Sequence, residues 1–129
     1  MCGITGTINI ALDEEKAKKV MFHRGPDAQS GWRKDNVHFF HFRLSILDIT
    51  GGVQPMHYLD RYHIIFNGEI YNYAELNKKF DLPVQTNSDT ETILHLYHKL
   101  GPDFLKETDG MFAMAIYDEQ KKEVFIARD

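Results

Sequence analysis

A cysteine next to the initiating methionine is the first residue of this sequence that could do chemistry. Cys2 is the only cysteine among the 129 residues. If Met1 is removed, a thiol and an α-amino group belong to one residue, and the ordinary pKa values of such groups are about 8.5 and about 7.7–8.0. The amine can then act as the base for the thiol, directly or through a water molecule, and no histidine is required. The alternative is an incidental structural cysteine, although a buried role is less natural at a chain terminus.

An Asn-Gly pair at positions 67 and 68 is the second candidate. It follows an apolar segment, and Asn-Gly in this position is the strongest short signal for a hairpin turn. The pair could also supply two hydrogen-bond donors, the side-chain amide of Asn67 and the backbone N–H of Gly68, because glycine lets a ligand approach the backbone. Two preorganised donors are what a tetrahedral oxyanion needs. The two interpretations are compatible, since a tight turn exposes its N–H groups.

The composition limits the class of protein. Hydrophobic residues make up 43% and charged residues 26% of the chain, which is ordinary for one globular domain. The net charge of −4 gives no basic surface for nucleic acid. No apolar run reaches the roughly 20 residues that cross a bilayer, and the N-terminus lacks the pattern of a signal peptide. The single cysteine cannot form an internal disulfide, which fits a cytoplasmic protein.

Hydrophobic spacing indicates the strands and helices that must position these residues. The predicted strands are 2–10, 37–47, 62–66, 111–117 and 123–128, and the predicted helices are 13–22, 73–80 and 88–100. Asp13 is expected to cap the first helix, and Ser88 with Glu91 to form a capping box. A break in alternation at 39–40 predicts a bulge, and the apolar segment 111–117 is expected to be buried on both faces. This succession predicts an α+β layered fold.

Seven histidines raise the question of a metal ion. His95 and His98 are three residues apart on a predicted helix, and His38 and His41 are three apart on a predicted strand. No cysteine or carboxylate cluster joins them at zinc-like spacing. We therefore expect no metal site.

Seven short motifs occur in an order that resembles a known family. They are Cys2-Gly3-Ile4, Arg24-Gly25-Pro26-Asp27, Arg43-Leu44-Ser45-Ile46-Leu47-Asp48, Gln54-Pro55-Met56, Asn67-Gly68-Glu69-Ile70-Tyr71-Asn72-Tyr73, Ser88-Asp89-Thr90-Glu91 and Asp109-Gly110-Met111-Phe112-Ala113. Over nearly the whole chain, 1–129, the sequence resembles the N-terminal glutaminase domain of glutamine-dependent asparagine synthetases. That domain is one branch of the class II amidotransferases, which are N-terminal-nucleophile hydrolases.

The resemblance implies a reaction and three catalytic groups. L-Glutamine plus water would give L-glutamate plus ammonia through a γ-glutamyl thioester on Cys2, once Met1 has been removed. Asn67 and Gly68 would form the oxyanion hole. The motif at 24–27 lies near the active site in the family, and we interpret it mainly as loop architecture.

The resemblance also implies how glutamine is held. Arg43 would bind its α-carboxylate with a planar fork of donors, and Glu69 and Asp89 would bind its α-ammonium group. Each has a simpler alternative: a surface arginine, a solvated turn residue, and an acid favoured by the helix dipole. Four backbone residues would line the same pocket, namely Leu44, Ser45, Ile46 and Leu47.

The resemblance further implies a four-layer αββα sandwich, in which two antiparallel sheets lie between helical layers. In the family, further strands follow an Ala-Arg-Asp like that at 127–129, so we expect a fragment whose sheets are incomplete at the C-terminal end. An open strand edge predicts self-association. No cofactor is expected in this domain. A downstream synthetase domain would use ATP and Mg²⁺ to activate aspartate and would accept the ammonia.

Three alternatives stay open at this point. A non-catalytic glutamine-binding module would keep Arg43, Glu69 and Asp89 but would not need Cys2. An inert fragment would fold poorly because its sheets are incomplete. A third alternative keeps the enzyme class and changes the acceptor, because related synthetases aminate other carboxylates.

Overall fold

Two sheets and three α-helices make up the part of the chain that the structure describes. The structure is a computed structural model, and it describes residues 1–45 and 51–129. In chain order, the elements are β1 (Gly3–Ile8), α1 (Glu14–Met21), β2 (Ala28–Lys34), β3 (Val37–Arg43), β4 (Met56–Tyr58), β5 (Tyr62–Ile70), α2 (Tyr73–Lys79), α3 (Asp89–Leu100), β6 (Gly110–Asp118) and β7 (Glu123–Arg128). Short 3₁₀ helices occupy Phe22–Arg24 and Gly101–Lys106.

The first sheet has the order β1-β3-β2, and both pairings are antiparallel. Its central strand runs in regular register against β1 from Val37 to Phe42 and against β2 from Val37 to Arg43, so the bulge expected at 39–40 is wrong. The alternation breaks there for another reason: both faces of β3 are covered, and Phe39 and Phe40 are each buried. A strand that is buried on both faces has no need of a polar side.

Helix α1 covers one face of the first sheet. Its predicted cap is confirmed, since the N–H of Lys16 donates to Asp13 Oδ1 at 3.0 Å. Its first residue reaches the sheet, where Glu14 Oε1 lies 2.8 Å from His38 Nε2.

The second sheet has the order β4-β5-β6-β7, with every pairing antiparallel. Its strand β5 continues to Ile70, so the hairpin predicted at Asn67-Gly68 is wrong. The glycine serves a different purpose. A Cβ at Gly68 would lie 2.1 Å from the carbonyl oxygen of Met111, and its φ is +148°, so a strand this close to β6 requires glycine here.

Helix α3 begins where the sequence predicts, but its capping differs. Ser88 is the N-cap residue, yet its side chain makes no capping hydrogen bond, so the capping box is wrong. Glu91 turns instead toward the preceding loop, where its carboxylate accepts from the N–H groups of Gln85 at 2.9 Å and Thr86 at 2.8 Å. The acid therefore ties the loop to the helix.

The apolar side chains form two cores, one on each face of the second sheet, and α1 on the outer face of the first sheet completes the four predicted layers. Between the sheets, Val37 and Phe39 pack with Ile65 and Tyr117. The second core lies between the second sheet and the helices, and it contains Tyr62, Ile64, Phe66, Ile70, Leu76, Ile93, Leu96, Phe104, Met114 and Ile116. The αββα arrangement of two antiparallel sheets is thus confirmed.

Strands β6 and β7 of the second sheet bear on two expectations, burial of the segment 111–117 and an open strand edge. In β6, Met114 and Ile116–Asp118 are buried and Ala115 is partly buried, but Met111 is 43% exposed, so the predicted burial on both faces fails at its N-terminal end. Strand β7 lies at the outer edge of the described sheet. Self-association through such an edge stays a prediction. None of the described helices is long and apolar enough to cross a membrane.

Candidate functional site

A cavity of about 490 Å³ opens where the two sheets and the start of α3 meet. Ten residues are predicted for the site, and seven of them line this cavity: Cys2, Arg43, Leu44, Asn67, Gly68, Glu69 and Asp89. Ser45 lies next to the wall without lining it. Ile46 and Leu47 fall outside the described residues.

Cys2 immediately precedes β1, at the end of the strand that faces the cavity. The N–H of Leu44 points at its sulfur with an N···Sγ distance of 3.4 Å, and Sγ lies 3.6 Å from the carbonyl oxygen of the same residue. Arg24 Nη2 donates to the carbonyl oxygen of Cys2 at 3.4 Å. Met1 is attached and also lines the cavity, so the nitrogen of Cys2 is an amide in this form of the chain.

The loop at 24–27 fixes the end of β3. The N–H of Asp27 donates to the carbonyl oxygen of Arg43 at 3.1 Å, and the N–H of Ser45 donates to Asp27 Oδ2 at 2.7 Å. A Cβ at Gly25 would lie 2.2 Å from the backbone of Phe42, so this approach requires glycine. The architectural interpretation of the loop agrees with these contacts.

The backbone of Gly68 presents its N–H to the cavity. In an antiparallel pair, residues alternate between hydrogen-bonded and non-hydrogen-bonded positions. Phe112, which lies opposite Gly68, exchanges hydrogen bonds with Asp129 on its other side. The Gly68–Phe112 pair is therefore non-hydrogen-bonded, and the N–H of Gly68 points away from β6 toward the open edge of β5.

Asn67, the residue before Gly68, also lines the cavity. Its Oδ1 is buried and has no hydrogen-bond partner among residues 1–45 and 51–129. A buried carboxamide oxygen without a partner is costly. A half-turn about the last side-chain torsion presents the NH₂ group instead.

Two acids give the cavity a negative side. Asp89 Oδ2 accepts from the N–H of Ile70 at 2.9 Å, which ties α3 to the end of β5. Burial raises the pKa of the Asp89 carboxyl above its ordinary value, and the charge of Glu69 raises it further against the effect of the backbone N–H donors. A cation placed between the two carboxylates would relieve this repulsion.

Several lining residues were not predicted as part of the site. They are Gly52, Gln54, Phe66, Tyr73, Asn87, Ser88, Thr90 and Met111, besides Met1. The motif Gln54-Pro55-Met56 is visible in the sequence, but nothing local shows where its side chains point. Ser88 and Thr90 flank Asp89 at the start of the predicted helix, and that position is the sequence feature that could have placed them at the site.

The histidines lie away from a metal-binding arrangement. No group of three or more histidine, cysteine or acidic side chains in the described part of the chain is arranged to hold a metal ion. His41 lies between the sheets, where burial and the charge of Arg43 lower its pKa to about 4. His57 and His63 contact each other at a distance of 2.5 Å between their Nδ1 atoms.

Comparison with known proteins assigns the chain to a family. A family model described as "Glutamine amidotransferase domain" matches residues 1–129. This chain belongs to the glutamine amidotransferase domain family. The predicted resemblance is confirmed at this level.

The amidotransferase domain has several curated relatives, and in each of the three below the match covers 100% of this chain. It is 43% identical to the putative asparagine synthetase [glutamine-hydrolyzing] 2 of Methanocaldococcus jannaschii, over 30% of that protein. It is 40% identical to asparagine synthetase B of Escherichia coli, over 25% of that protein, and 38% identical to asparagine synthetase 3 of Bacillus subtilis, over 23%. The chain thus spans less than a third of the length of these relatives.

Proposed function

We propose that this amidotransferase domain hydrolyses L-glutamine to L-glutamate and ammonia through a thioester on Cys2. One observation carries the proposal: a single cavity is lined by Cys2, Arg43, Glu69 and Asp89. The family match supports the same reaction class.

The charges of the cavity suit an amino acid. The guanidinium of Arg43 offers paired donors to an α-carboxylate, and Glu69 with Asp89 offers acceptors to an α-ammonium group. A free amino acid carries both charges on adjacent atoms. The side chain of glutamine is then directed along the cavity, with its amide toward Cys2.

The chemistry needs a free α-amino group, which removal of Met1 supplies. The amine takes the proton of the thiol, and the sulfur attacks the amide carbon of glutamine. The resulting oxyanion is stabilised by the N–H of Gly68 and the side chain of Asn67. The proton passes to the amide nitrogen, the C–N bond breaks and ammonia leaves. Water then attacks the thioester, which releases glutamate and restores the thiol.

The use of the ammonia belongs to a second domain. Relatives that contain the matched segment are named asparagine synthetases, and this chain covers only 30%, 25% and 23% of three of them. We propose that a synthetase domain, in the same chain or a separate one, accepts the ammonia, and that any ATP and Mg²⁺ act there.

Covalent labelling tests the central claim. A glutamine analogue with an electrophilic centre in place of the side-chain amide is expected to add one label to the chain that lacks Met1 and none to the chain that retains it. Cys2→Ala should abolish labelling and hydrolysis together. Intact mass, measured for both forms, gives the result. Equal labelling with Met1 retained would falsify the N-terminal-nucleophile mechanism.

The same experiment separates the non-catalytic alternative. A module that only binds glutamine would be stabilised by L-glutamine in a thermal melt, yet it would neither react with the analogue nor release ammonia. Hydrolysis by the processed chain excludes that function.

A further inference from the structure

The buried side chain of Gln54 joins three elements beside the cavity. Its Oε1 accepts from the N–H of Phe66 on β5 at 2.6 Å, and its Nε2 donates to Thr90 Oγ1 on α3 at 3.4 Å. Its backbone carbonyl accepts a hydrogen bond from the hydroxyl of Ser30 on β2. Gln54 is only 6% exposed, so these contacts stand in place of water.

The register of β4 shows what this side chain replaces. Strand β4 pairs with β5 as far as Met56 opposite Ile64. Two residues further in the same register, Gln54 would lie opposite Phe66 and would use its backbone to pair with it. Its backbone carbonyl is turned to Ser30 instead, and its side-chain oxygen takes the N–H of Phe66.

Strand pairing therefore ends at Ile64, and the Gln54 side chain takes its place at Phe66, two residues before Gly68. On this edge of β5, the N–H groups of Phe66, Gly68 and Ile70 point the same way. The first is bound by Gln54 and the third by Asp89 at 2.9 Å. A continued strand β4 would cover the middle N–H, whereas two side-chain acceptors leave it facing the cavity.

Phe66 is also held through its carbonyl group. The ring of His41 makes a hydrogen bond to the backbone of Phe66, and its pKa of about 4 keeps the ring neutral near pH 7. The residue before Asn67-Gly68 is thus fixed from both sheets.

We propose that Gln54 is a positioning residue for glutamine hydrolysis: its amide holds the edge of β5 so that the N–H of Gly68 points at the oxyanion. This inference rests on the proposed function and adds to it a residue that acts by orienting another group of the site.

Kinetics of Gln54→Met tests the proposal in the processed chain. Methionine keeps the approximate volume and removes both hydrogen-bonding atoms. We expect kcat for glutamine hydrolysis to fall about 10–100-fold, while KM changes about threefold or less. The fall in kcat is smaller than for complete loss of an oxyanion donor, because a misdirected N–H still stabilises the oxyanion in part. Gln54→Glu keeps an acceptor for Phe66 and should recover at least about tenfold of the lost kcat.

A matched variant separates positioning from general weakening. Phe104→Leu trims a fully buried side chain that does not line the cavity, and it is expected to lower Tm without lowering kcat. A kcat of Gln54→Met within about twofold of the unaltered chain would overturn the proposal. So would an equal kcat loss in Phe104→Leu, or no recovery in Gln54→Glu. Absence of hydrolysis by the unaltered chain would instead overturn the proposed function.

Hydrogen exchange provides a test that needs no variant. In the unaltered chain, the amides of Phe66 and Ile70 should exchange at least about tenfold more slowly than the amide of Gly68, because only the first two are bound. Equal exchange at Phe66 and Gly68 would overturn the proposal even if Gln54→Met failed to fold.

Discussion

The amide nitrogen of Leu44 lies 3.4 Å from the sulfur of Cys2. Leu44, which follows β3, therefore contacts Cys2, which precedes β1. Arg43 is the residue before Leu44 in the sequence. The group proposed to bind the α-carboxylate and the proposed nucleophile are thus set by the same pair of strands. A change at the end of β3 is expected to affect binding and attack together unless it preserves the backbone.

Arg43→Lys keeps the charge and the backbone but removes the planar pair of donors. We expect KM for glutamine to rise about tenfold or more, which corresponds to losing one charge-assisted hydrogen bond, while kcat changes less. Steady-state hydrolysis kinetics measures both. Arg33→Lys, at an exposed position of β2 outside the cavity, is the matched control and should leave KM unchanged. Equal KM in the two variants would remove Arg43 from the site.

Asn67→Ala removes the side chain proposed to stabilise the oxyanion. The expected result is a fall in kcat of about 10²–10³, the usual effect of one lost donor. The melting temperature should change little, because Oδ1 has no partner among the described residues that the substitution would leave unsatisfied. Unchanged turnover with a lower Tm would assign Asn67 a purely structural role.

Gly68→Ala forces a methyl group into the contact between β5 and β6. The new Cβ would lie 2.1 Å from the carbonyl oxygen of Met111, at a φ of +148° that other residues rarely adopt. We expect a loss of about 2 kcal/mol or more in the free energy of unfolding, together with loss of labelling at Cys2. Urea denaturation measures the first. Ala115→Gly makes the opposite change on β6 and should cost only about 1 kcal/mol. Equal losses would mean that the backbone relaxes around the new methyl group.

Asp118 is expected to make stability depend on pH at the acidic end. Arg61 binds it through two contacts of 2.8 Å, and this pairing holds the pKa of the buried Asp118 carboxyl below its ordinary value of 3.8. A carboxyl group whose pKa is lower in the folded than in the unfolded state stabilises the fold above the unfolded value. That contribution is lost as the pH falls below about 3.8 toward the folded pKa.

Asp118→Asn provides the comparison for this effect. The variant should be less stable near neutral pH, by about 1–3 kcal/mol, because a charge-assisted pair is lost. Its free energy of unfolding should also depend less on pH below about 4 than that of the unaltered chain. Parallel pH profiles from denaturation at each pH would contradict the role assigned to the Arg61 pair.

Much of the fold could be predicted because its cause is local. The cap at Asp13, the end of α3 near Gly101 and the apolar segments of β3, β5 and β6 each follow from short-range rules. The errors have a common origin. Asn67-Gly68 is a turn signal in isolation, but tertiary contact with β6 extends the strand through it. Glu91 has the spacing of a capping box, yet the loop at 85–86 offers it better donors.

The site was predicted to the extent that its residues carry recognisable chemistry. Cys2, Arg43 and Asp89 are separated in sequence and meet at one cavity, as the ordered motifs imply. Gln54 shows what a sequence cannot show. Its partners lie on β2, β5 and α3. Residue spacing in the sequence does not indicate that a side chain takes the hydrogen bond that a continued strand would have made.

The assembly of the cavity from both sheets and α3 has a consequence for how native protein can be counted. An unfolded chain carries the same thiol at Cys2, but it lacks the assembled groups that we propose bind and activate a glutamine analogue. Incorporation of that analogue therefore requires β1 beside β3 and β5 beside α3 in the same molecule. Titration of Cys2 would report the number of correctly folded molecules in a mixed preparation, independently of the total amount of polypeptide.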